Sequence, residues 1–68
     1  MSELSARNQL RGTVKSVKRD TIVSEVIVDV AGQEVAAVIT TSSLDRLSVQ
    51  PGAPITVVIK ATEVMLQT

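Results

Sequence analysis

The sequence predicts an all-β protein, a small five-stranded barrel with one short helix between the third and fourth strands. Three observations favour this class. Hydrophobic residues make up 44% of the chain but include no Phe, Trp or Tyr, and twelve Val and five Ile provide much of the apolar volume. Such β-branched side chains suit pleated, half-buried surfaces and lose rotamer freedom in helices. Several short segments also have a period of two and are separated by turn residues.

The first half of the chain predicts three strands. Residues 8–19 alternate loosely between polar and apolar, and we expect Gly12 to mark a bulge or bend. Residues 22–30 have a clear period of two and form the second strand. The glycine-containing segment 31–34 predicts a hairpin turn into a third strand at residues 35–40. Tight turns are therefore expected to join these three strands.

The pattern changes in the second half of the chain. The segment TTSSLDRLSV, residues 40–49, predicts a short helix. We expect Thr41 or Ser42 to cap it, because a side-chain hydroxyl accepts from backbone N–H groups of the first turn. After the breaker QPGAP, residues 55–60 and 62–67 predict the fourth and fifth strands. Five short strands with one helix after the third predict an OB-like Greek-key barrel.

The length predicts a single domain, residues 1–68, that is stabilised by self-association. A core of this size buries a modest fraction of the chain's surface, so a lone monomer is marginally stable. Small domains usually gain stability from a disulfide, a metal or a partner subunit. The chain has no Cys and no His, which removes disulfides, thiolate sites and the commonest metal ligand. Oligomerisation is the stabilising device that remains.

The composition also excludes several function classes. Seven basic residues balance seven acidic ones, and no aromatic ring can stack on a base, so we expect no nucleic-acid partner. No apolar run approaches the ~20 residues that cross a bilayer, and the first residues contain no signal-peptide core. Without His, the chain has no nucleophile–base pair of the triad kind. We therefore expect a cytoplasmic protein that is not an enzyme, needs no cofactor and contacts no membrane.

Three polar clusters point to the binding of an anion. They are Ser5-Ala6-Arg7-Asn8, Thr40-Thr41-Ser42-Ser43 with Arg46, and Lys60-Ala61-Thr62. Each cluster offers hydroxyl, amide, ammonium or guanidinium donors, and no carboxylate interrupts any of them. The start of a helix adds unpaired N–H groups. Donors of this kind can surround a small tetrahedral dianion, and one or two cations can neutralise its charge.

The lack of carboxylates also bears on selectivity. Phosphate near neutral pH carries a proton that needs an acceptor, and leaving that proton unpaired in a buried site costs on the order of 1–3 kcal/mol. Fully deprotonated oxyanions such as molybdate, tungstate or sulfate avoid this cost. The size of the cavity must then decide among them.

Each cluster also has a purely structural interpretation. The hydroxyl residues 40–43 can simply cap the helix, which composition alone favours, and residues 5–8 can form a solvated first strand. Lys60 can be an exposed strand lysine, and Arg46 can lie on the outer face of the helix. Only convergence of the clusters in space would favour the binding interpretation.

A resemblance to a known family covers nearly the whole chain. The segments that carry it are SARNQLRGTVKSVKRD (5–20), EVAAVITTSSLDRLSVQPG (34–52) and VVIKATEVML (57–66). The chain resembles the molbindins, the small Mop-type proteins that bind molybdate or tungstate without chemistry. The resemblance implies a five-stranded OB-like barrel. A free single unit is similar to the storage form of the family, a homohexamer built as a trimer of dimers.

The resemblance also implies which residues bind the oxyanion between subunits. They are Ser5, Arg7, Thr40, Ser43, Lys60, Ala61 and Thr62, with Asn8 and Arg46 as supporting residues. Thr40 and Ser43 would come from a neighbouring subunit, and Ala61 would contribute only its backbone. The metal would be held as its oxyanion, with no direct protein ligand. Arg11 and Thr62 stand where lysine and serine are usual, and TTSS replaces TNES, which removes an acid near the site.

The resulting hypothesis is intracellular storage or homeostasis of molybdate or tungstate. An alternative hypothesis is an oxyanion-sensing regulatory or interaction module that acts through a separate partner protein. A third is generic binding of sulfate-like anions.

Overall fold

The computed structural model describes residues 6–68, which form a curled antiparallel sheet and one short helix. The elements in chain order are β1 (Asn8–Lys18), β2 (Val23–Val30), β3 (Gln33–Thr40), α1 (Thr41–Arg46), β4 (Pro54–Ile59) and a 3-10 turn (Ala61–Glu63). The strand order in the sheet is β3-β2-β1-β4. The predicted all-β class, with one short helix after the third strand, is confirmed.

β1 is the longest strand of the described sheet and holds it together. Residues 8–13 of β1 pair with β4, and residues 13–18 pair with β2. The pairing register slips between Val14 and Ser16, so Lys15 is the extra, bulged residue. A bulge bends its strand and increases the local twist. β1 therefore changes partner close to the point where it bends.

The core lies where β1 and β2 meet the helix. Val14, Val26, Val28 and Leu44 are each at most 3% exposed and form one cluster. The three valines lie on one face of the sheet because β2 alternates with a period of two, as the sequence predicts. Leu44 brings α1 onto that face. Burying one leucine side chain contributes roughly 1.5–3 kcal/mol, so this contact fixes the helix against the sheet.

Gly12 and Gly32 are both needed in the fold, but for different reasons. Of the bulge or bend predicted at Gly12, the bulge is wrong, because Gly12 pairs in regular register with Ile55 and the bulge lies at Lys15. A Cβ on Gly12 would lie 2.5 Å from the backbone oxygen of Asp29, so glycine is needed there for the close approach of two strands. The predicted hairpin turn is confirmed. Ala31 and Gly32 link β2 to β3 with φ values of 51° and 86°, as a two-residue turn requires.

The fifth strand predicted for residues 62–67 is absent from the described part of the chain. Ala61–Glu63 forms a 3-10 turn, and the residues that follow have no regular structure. Met65 and Leu66 are 91% and 94% exposed. Apolar alternation makes a strand only where a sheet edge is available for pairing, and no described strand pairs with this segment. The described sheet thus has four strands, and the closed OB-like barrel stays a prediction.

The predicted helix cap is displaced by one residue. Thr40, not Thr41 or Ser42, is the N-cap, and its side-chain oxygen accepts from the backbone N–H of Ser43. Thr41 instead is the first helical residue and is buried. The last residue of β3 is therefore also the cap of α1, and no loop lies between the two elements.

Candidate oxyanion-binding site

The predicted hydroxyl cluster forms a connected set around the start of α1, here called the helix group: Thr40, Ser43 and Arg46. Thr40 Oγ1 accepts from the Ser43 N–H at 3.1 Å and donates to Ser43 Oγ at 2.8 Å. Arg46 Nη2 donates to the same oxygen at 3.1 Å. Ser43 Oγ therefore accepts two hydrogen bonds, which leaves its own proton for a further acceptor. These residues therefore cap the helix and also offer hydrogen-bond donors to a ligand, and Arg46 adds a positive charge.

A second set of predicted residues lies where β1 begins and β4 ends, and is here called the β1–β4 group. Its members are Arg7, Asn8, Lys60, Ala61 and Thr62. Asn8 pairs with Ile59 across the sheet, and its Nδ2 donates to the Ile59 carbonyl at 3.1 Å. This bond fixes the backbone immediately before Lys60. Ser5, which the sequence assigns to the same set, lies outside the described residues.

The two groups lie at opposite ends of β1. Asn8 pairs with Ile59 at the first end, whereas Lys18 pairs with Glu25 at the other, next to the pairing of Val23 with Thr40. The eleven residues of β1 at about 3.3 Å each make a strand roughly 36 Å long when measured along its bent path. No hydrogen bond or ion pair among residues 6–68 joins one group to the other. The structure thus brings the predicted site residues together as two separate sets.

The one acid within α1 is engaged away from the helix group. Arg19 Nη1 and Nη2 donate to the two carboxylate oxygens of Asp45 at 2.7 and 2.9 Å. The hydrogen bond from Arg19 lowers the pKa of Asp45, and the same bond raises the pKa of Arg19. Asp45 therefore stays ionised near neutral pH with its charge matched by a guanidinium. This pairing limits its repulsion of an anion at the neighbouring hydroxyls.

A ring of hydrogen bonds that the sequence analysis missed connects α1 to the turn after β1. Thr41 Oγ1 donates to the Asp20 carbonyl at 2.7 Å and lies 2.7 Å from Ser24 Oγ. The backbone N–H of Asp20 donates to Ser24 Oγ at 3.3 Å. Because Thr41 has one proton and gives it to Asp20, Ser24 must be the donor to Thr41. A signal was present, since Ser24 interrupts the apolar face of β2 with a hydroxyl.

Two surface grooves are lined by no member of either group, although the first lies beside the start of α1. One, of about 250 Å³, is lined by residues that include Lys18, Arg19, Asp20 and Glu25, and the other, of about 370 Å³, by residues that include Lys15, Asp29 and Glu34. Each groove mixes cations with carboxylates, and an anion is repelled by carboxylates at short range. Neither groove therefore suits the predicted ligand.

Among residues 6–68, no set of three or more Asp, Glu, His or Cys side chains could hold a metal ion. Within the same range, no helix has the length and apolar character needed to cross a membrane.

Comparison with known proteins gives a consistent family. Residues 4–66 match the TOBE domain family. Molybdenum-pterin-binding protein 1 from Clostridium pasteurianum is 42% identical over 64 residues, which cover 93% of this chain and 94% of that protein. The relative is therefore similar over nearly its whole length and not only in one part.

Solved structures agree with the sequence relatives. A molybdate-binding protein from Sporomusa ovata superposes with a TM-score of 0.93 at 34% identity, over 98% of this chain and all of that one. The cytoplasmic molybdate-binding protein ModG, crystallised with molybdate bound, gives a TM-score of 0.83 at 38% identity over 88% of this chain and 43% of its own. The chain described here therefore belongs to the TOBE domain family and, within it, to the Mop-type molybdenum-pterin-binding proteins.

Proposed function

We propose that this chain binds molybdate or tungstate at interfaces between copies of itself, and stores or buffers the anion without catalysis. The observation that carries the proposal is the separation of the two donor groups at opposite ends of β1. A small tetrahedral anion cannot reach both ends of a strand that measures roughly 36 Å along its path. The β1–β4 group of one copy and the helix group of another can meet around it. We further propose that residues 1–68 act as one domain in the cytoplasm.

The chemistry of the two groups suits a fully deprotonated dianion. Lys60 and Arg7 supply positive charge from one side, and Arg46 with the Ser43 hydroxyl supplies charge and a directed donor from the other. Charge-assisted hydrogen bonds of this kind are roughly twice as strong as neutral ones. Phosphate carries a proton, and neither group offers that proton a carboxylate acceptor. We therefore expect phosphate to bind more weakly than molybdate or tungstate.

Self-association is part of the proposal, because each copy supplies only half of a site. Exposed apolar side chains on the described surface include Ile22 in the turn before β2, Val38 on β3, and Met65 and Leu66 after the 3-10 turn. Covering such surface contributes about 25 cal/mol per Å². A homohexamer arranged as a trimer of dimers, the assembly implied by the family resemblance, is the proposed state.

Isothermal titration of the native assembly with molybdate, tungstate, sulfate and phosphate, alongside native mass measurement, tests the function. We expect molybdate and tungstate to bind, phosphate to bind at least about tenfold more weakly for its unpaired proton, and the mass to exceed that of a monomer. A monomer that binds none of the four anions would refute the proposal.

Matched cation variants identify the site. Arg7→Ala and Lys60→Ala should each weaken molybdate binding by about 1.5–3 kcal/mol, because the anion loses a charge-assisted partner. Arg11→Ala and Lys18→Ala are the controls, since both remove an exposed cation of the same type from β1 outside the two groups. Equal effects of the site and control variants would mean that only net charge matters.

An oxyanion-sensing module is the second candidate function, and it uses the same site. A sensing module would capture a partner protein on the immobilised assembly when molybdate is present and not when it is absent. Storage alone requires no such partner.

A further inference from the structure

Helix α1 is attached to the turn between β1 and β2 at two points. Near its start, the ring of hydrogen bonds among Asp20, Ser24 and Thr41 is closed, and the backbone N–H of Thr41 also donates to the Ile22 carbonyl at 2.8 Å. One turn later, the forked ion pair joins Asp45 to Arg19. The two attachments lie one turn apart along the helix axis, so they fix the orientation of the helix as well as its position.

This attachment reaches the helix group through very few bonds. Thr41 follows Thr40 directly, and Ser43 is two residues further on, so no loop can absorb a shift of Thr41. Ser24 and Thr41 are only 2% and 7% exposed, and both of their hydroxyls are satisfied within the ring. An apolar pair of similar size in place of Ser24 and Thr41 would pack as well, but it would not fix the orientation of the helix start. Hydrogen bonds have preferred distances and angles, and they define where the helix starts.

We propose that Ser24 and Thr41 are positioning residues for the helix half of the oxyanion site, through the closed ring they form with the backbone of Asp20. Neither side chain contacts the anion in this account. The inference rests on the proposed function, and it adds that the geometry of Thr40 and Ser43 depends on two buried hydroxyls behind them. Residues behind the ligand-binding atoms commonly have this role, because they fix the orientation of the groups in front.

The test compares three substitutions by titration of the native assembly with molybdate, well below the melting temperature of each protein. Thr41→Val keeps the size of the side chain and opens the ring, whereas Thr41→Ser keeps the hydroxyl and loses a methyl group. Val28→Ala is the control, because Val28 lies on the same strand as Ser24, is equally buried and is outside the ring. Melting curves establish how far Thr41→Val and Val28→Ala are matched in stability.

We expect Thr41→Val to weaken molybdate binding by about tenfold, the lower part of the range for residues that orient ligand groups. Thr41→Ser should restore binding, and Val28→Ala should stay within about twofold of the unmodified protein because it is independent of the ring. Should Thr41→Val fail to fold, the double variant Ser24→Ala/Thr41→Val replaces it. That variant leaves neither hydroxyl unpaired, and it should fold while binding molybdate as weakly as expected for Thr41→Val.

Two results would overturn the inference in distinguishable ways. Ring variants with the same affinity as Val28→Ala, in a protein that binds molybdate before substitution, would leave the ring with a purely structural role. An unmodified assembly that binds no molybdate would overturn both this inference and the proposed function.

Discussion

The two halves of the proposed site are built to very different degrees. The helix group stands on a buried leucine, a closed ring of hydrogen bonds, a forked ion pair and a capped first turn. The β1–β4 group has one fixed point, the Asn8 side chain on the Ile59 carbonyl, and the chain after β4 is exposed throughout. Lys60 precedes a 3-10 turn that has no side-chain cap.

This difference indicates how a shared site can be assembled. A half-site that is fixed within its own chain can serve as the template, and an exposed half-site gains its final order from the neighbour and the anion. The exposed half then loses conformational entropy on assembly, which lowers the affinity relative to a site that is fixed on both sides. Substitutions behind the helix group should therefore act on folding as well as on binding, whereas those in the β1–β4 group should act on binding alone.

The largest expected effect on stability comes from the base of the helix group. Leu44→Ala should lower the free energy of unfolding by about 2–5 kcal/mol, because it leaves a cavity among buried valines. Leu47→Ala is the matched control, since Leu47 immediately follows α1 and is more than half exposed. Denaturant unfolding measures both. Equal losses would show that α1 is not fixed through the core.

A smaller effect separates two threonines that the account places in different halves of the site. Thr40→Ala should reduce stability by about 0.5–2 kcal/mol, because the helix loses its capping oxygen. Thr62→Ala should change stability by less than about 0.5 kcal/mol, because Thr62 is exposed. Thermal unfolding tests the contrast, and titration with molybdate should show weaker binding in both variants. A destabilising Thr62→Ala would mean that the β1–β4 group is also fixed within its own chain.

The smallest expected effect is a loss of folding stability at acidic pH. The pKa of Asp45 is lower in the folded chain than its ordinary value of 3.8, because Arg19 donates hydrogen bonds to the carboxylate. The unfolded state therefore binds this proton first, and the stabilisation is present above the ordinary pKa and declines as pH falls through the folded value. Both side chains are more than half exposed, so the contribution is modest.

Asp45→Asn provides the measurement for that dependence. The variant should lose the part of the acid sensitivity below about pH 4 that belongs to this carboxyl. The free energy of unfolding, followed by denaturant titration at a series of pH values, would reveal it. Parallel curves for Asp45→Asn and the unmodified protein would contradict the ion pair with Arg19.

Much of the fold is predictable from local sequence patterns. The period of two in β2, the Ala31-Gly32 turn and the presence of a short helix after β3 depend on neighbouring residues, and these predictions agree with the structure. Only the cap differs, since it is Thr40 and not Thr41 or Ser42. The role of Gly12 and the state of residues 62–67 depend on contacts between distant segments. The sequence shows that Gly12 is special, but only the register reveals Asp29 beside it. The same residues 62–67 alternate suitably for a strand yet have no paired edge.

The site follows the same division. The donor clusters are visible in the sequence because they are contiguous and contain no carboxylate. The separation of the clusters along β1 is not visible in the sequence, because it depends on which strand pairs with each end of β1. The link from Ser24 to Thr41 spans seventeen residues, and its only trace in the sequence is a hydroxyl on an apolar face.

Mixing two defective variants tests the shared site most directly. Lys60→Ala impairs the β1–β4 group, Ser43→Ala impairs the helix group, and neither removes a core or capping side chain. We expect each homogeneous assembly to bind molybdate weakly. Co-refolded mixed assemblies should regain about one quarter of the sites at full affinity, because random pairing joins intact halves from different copies. If titration of the mixture recovers no high-affinity sites, the site is not shared between copies, since a site within one chain would be defective in every copy.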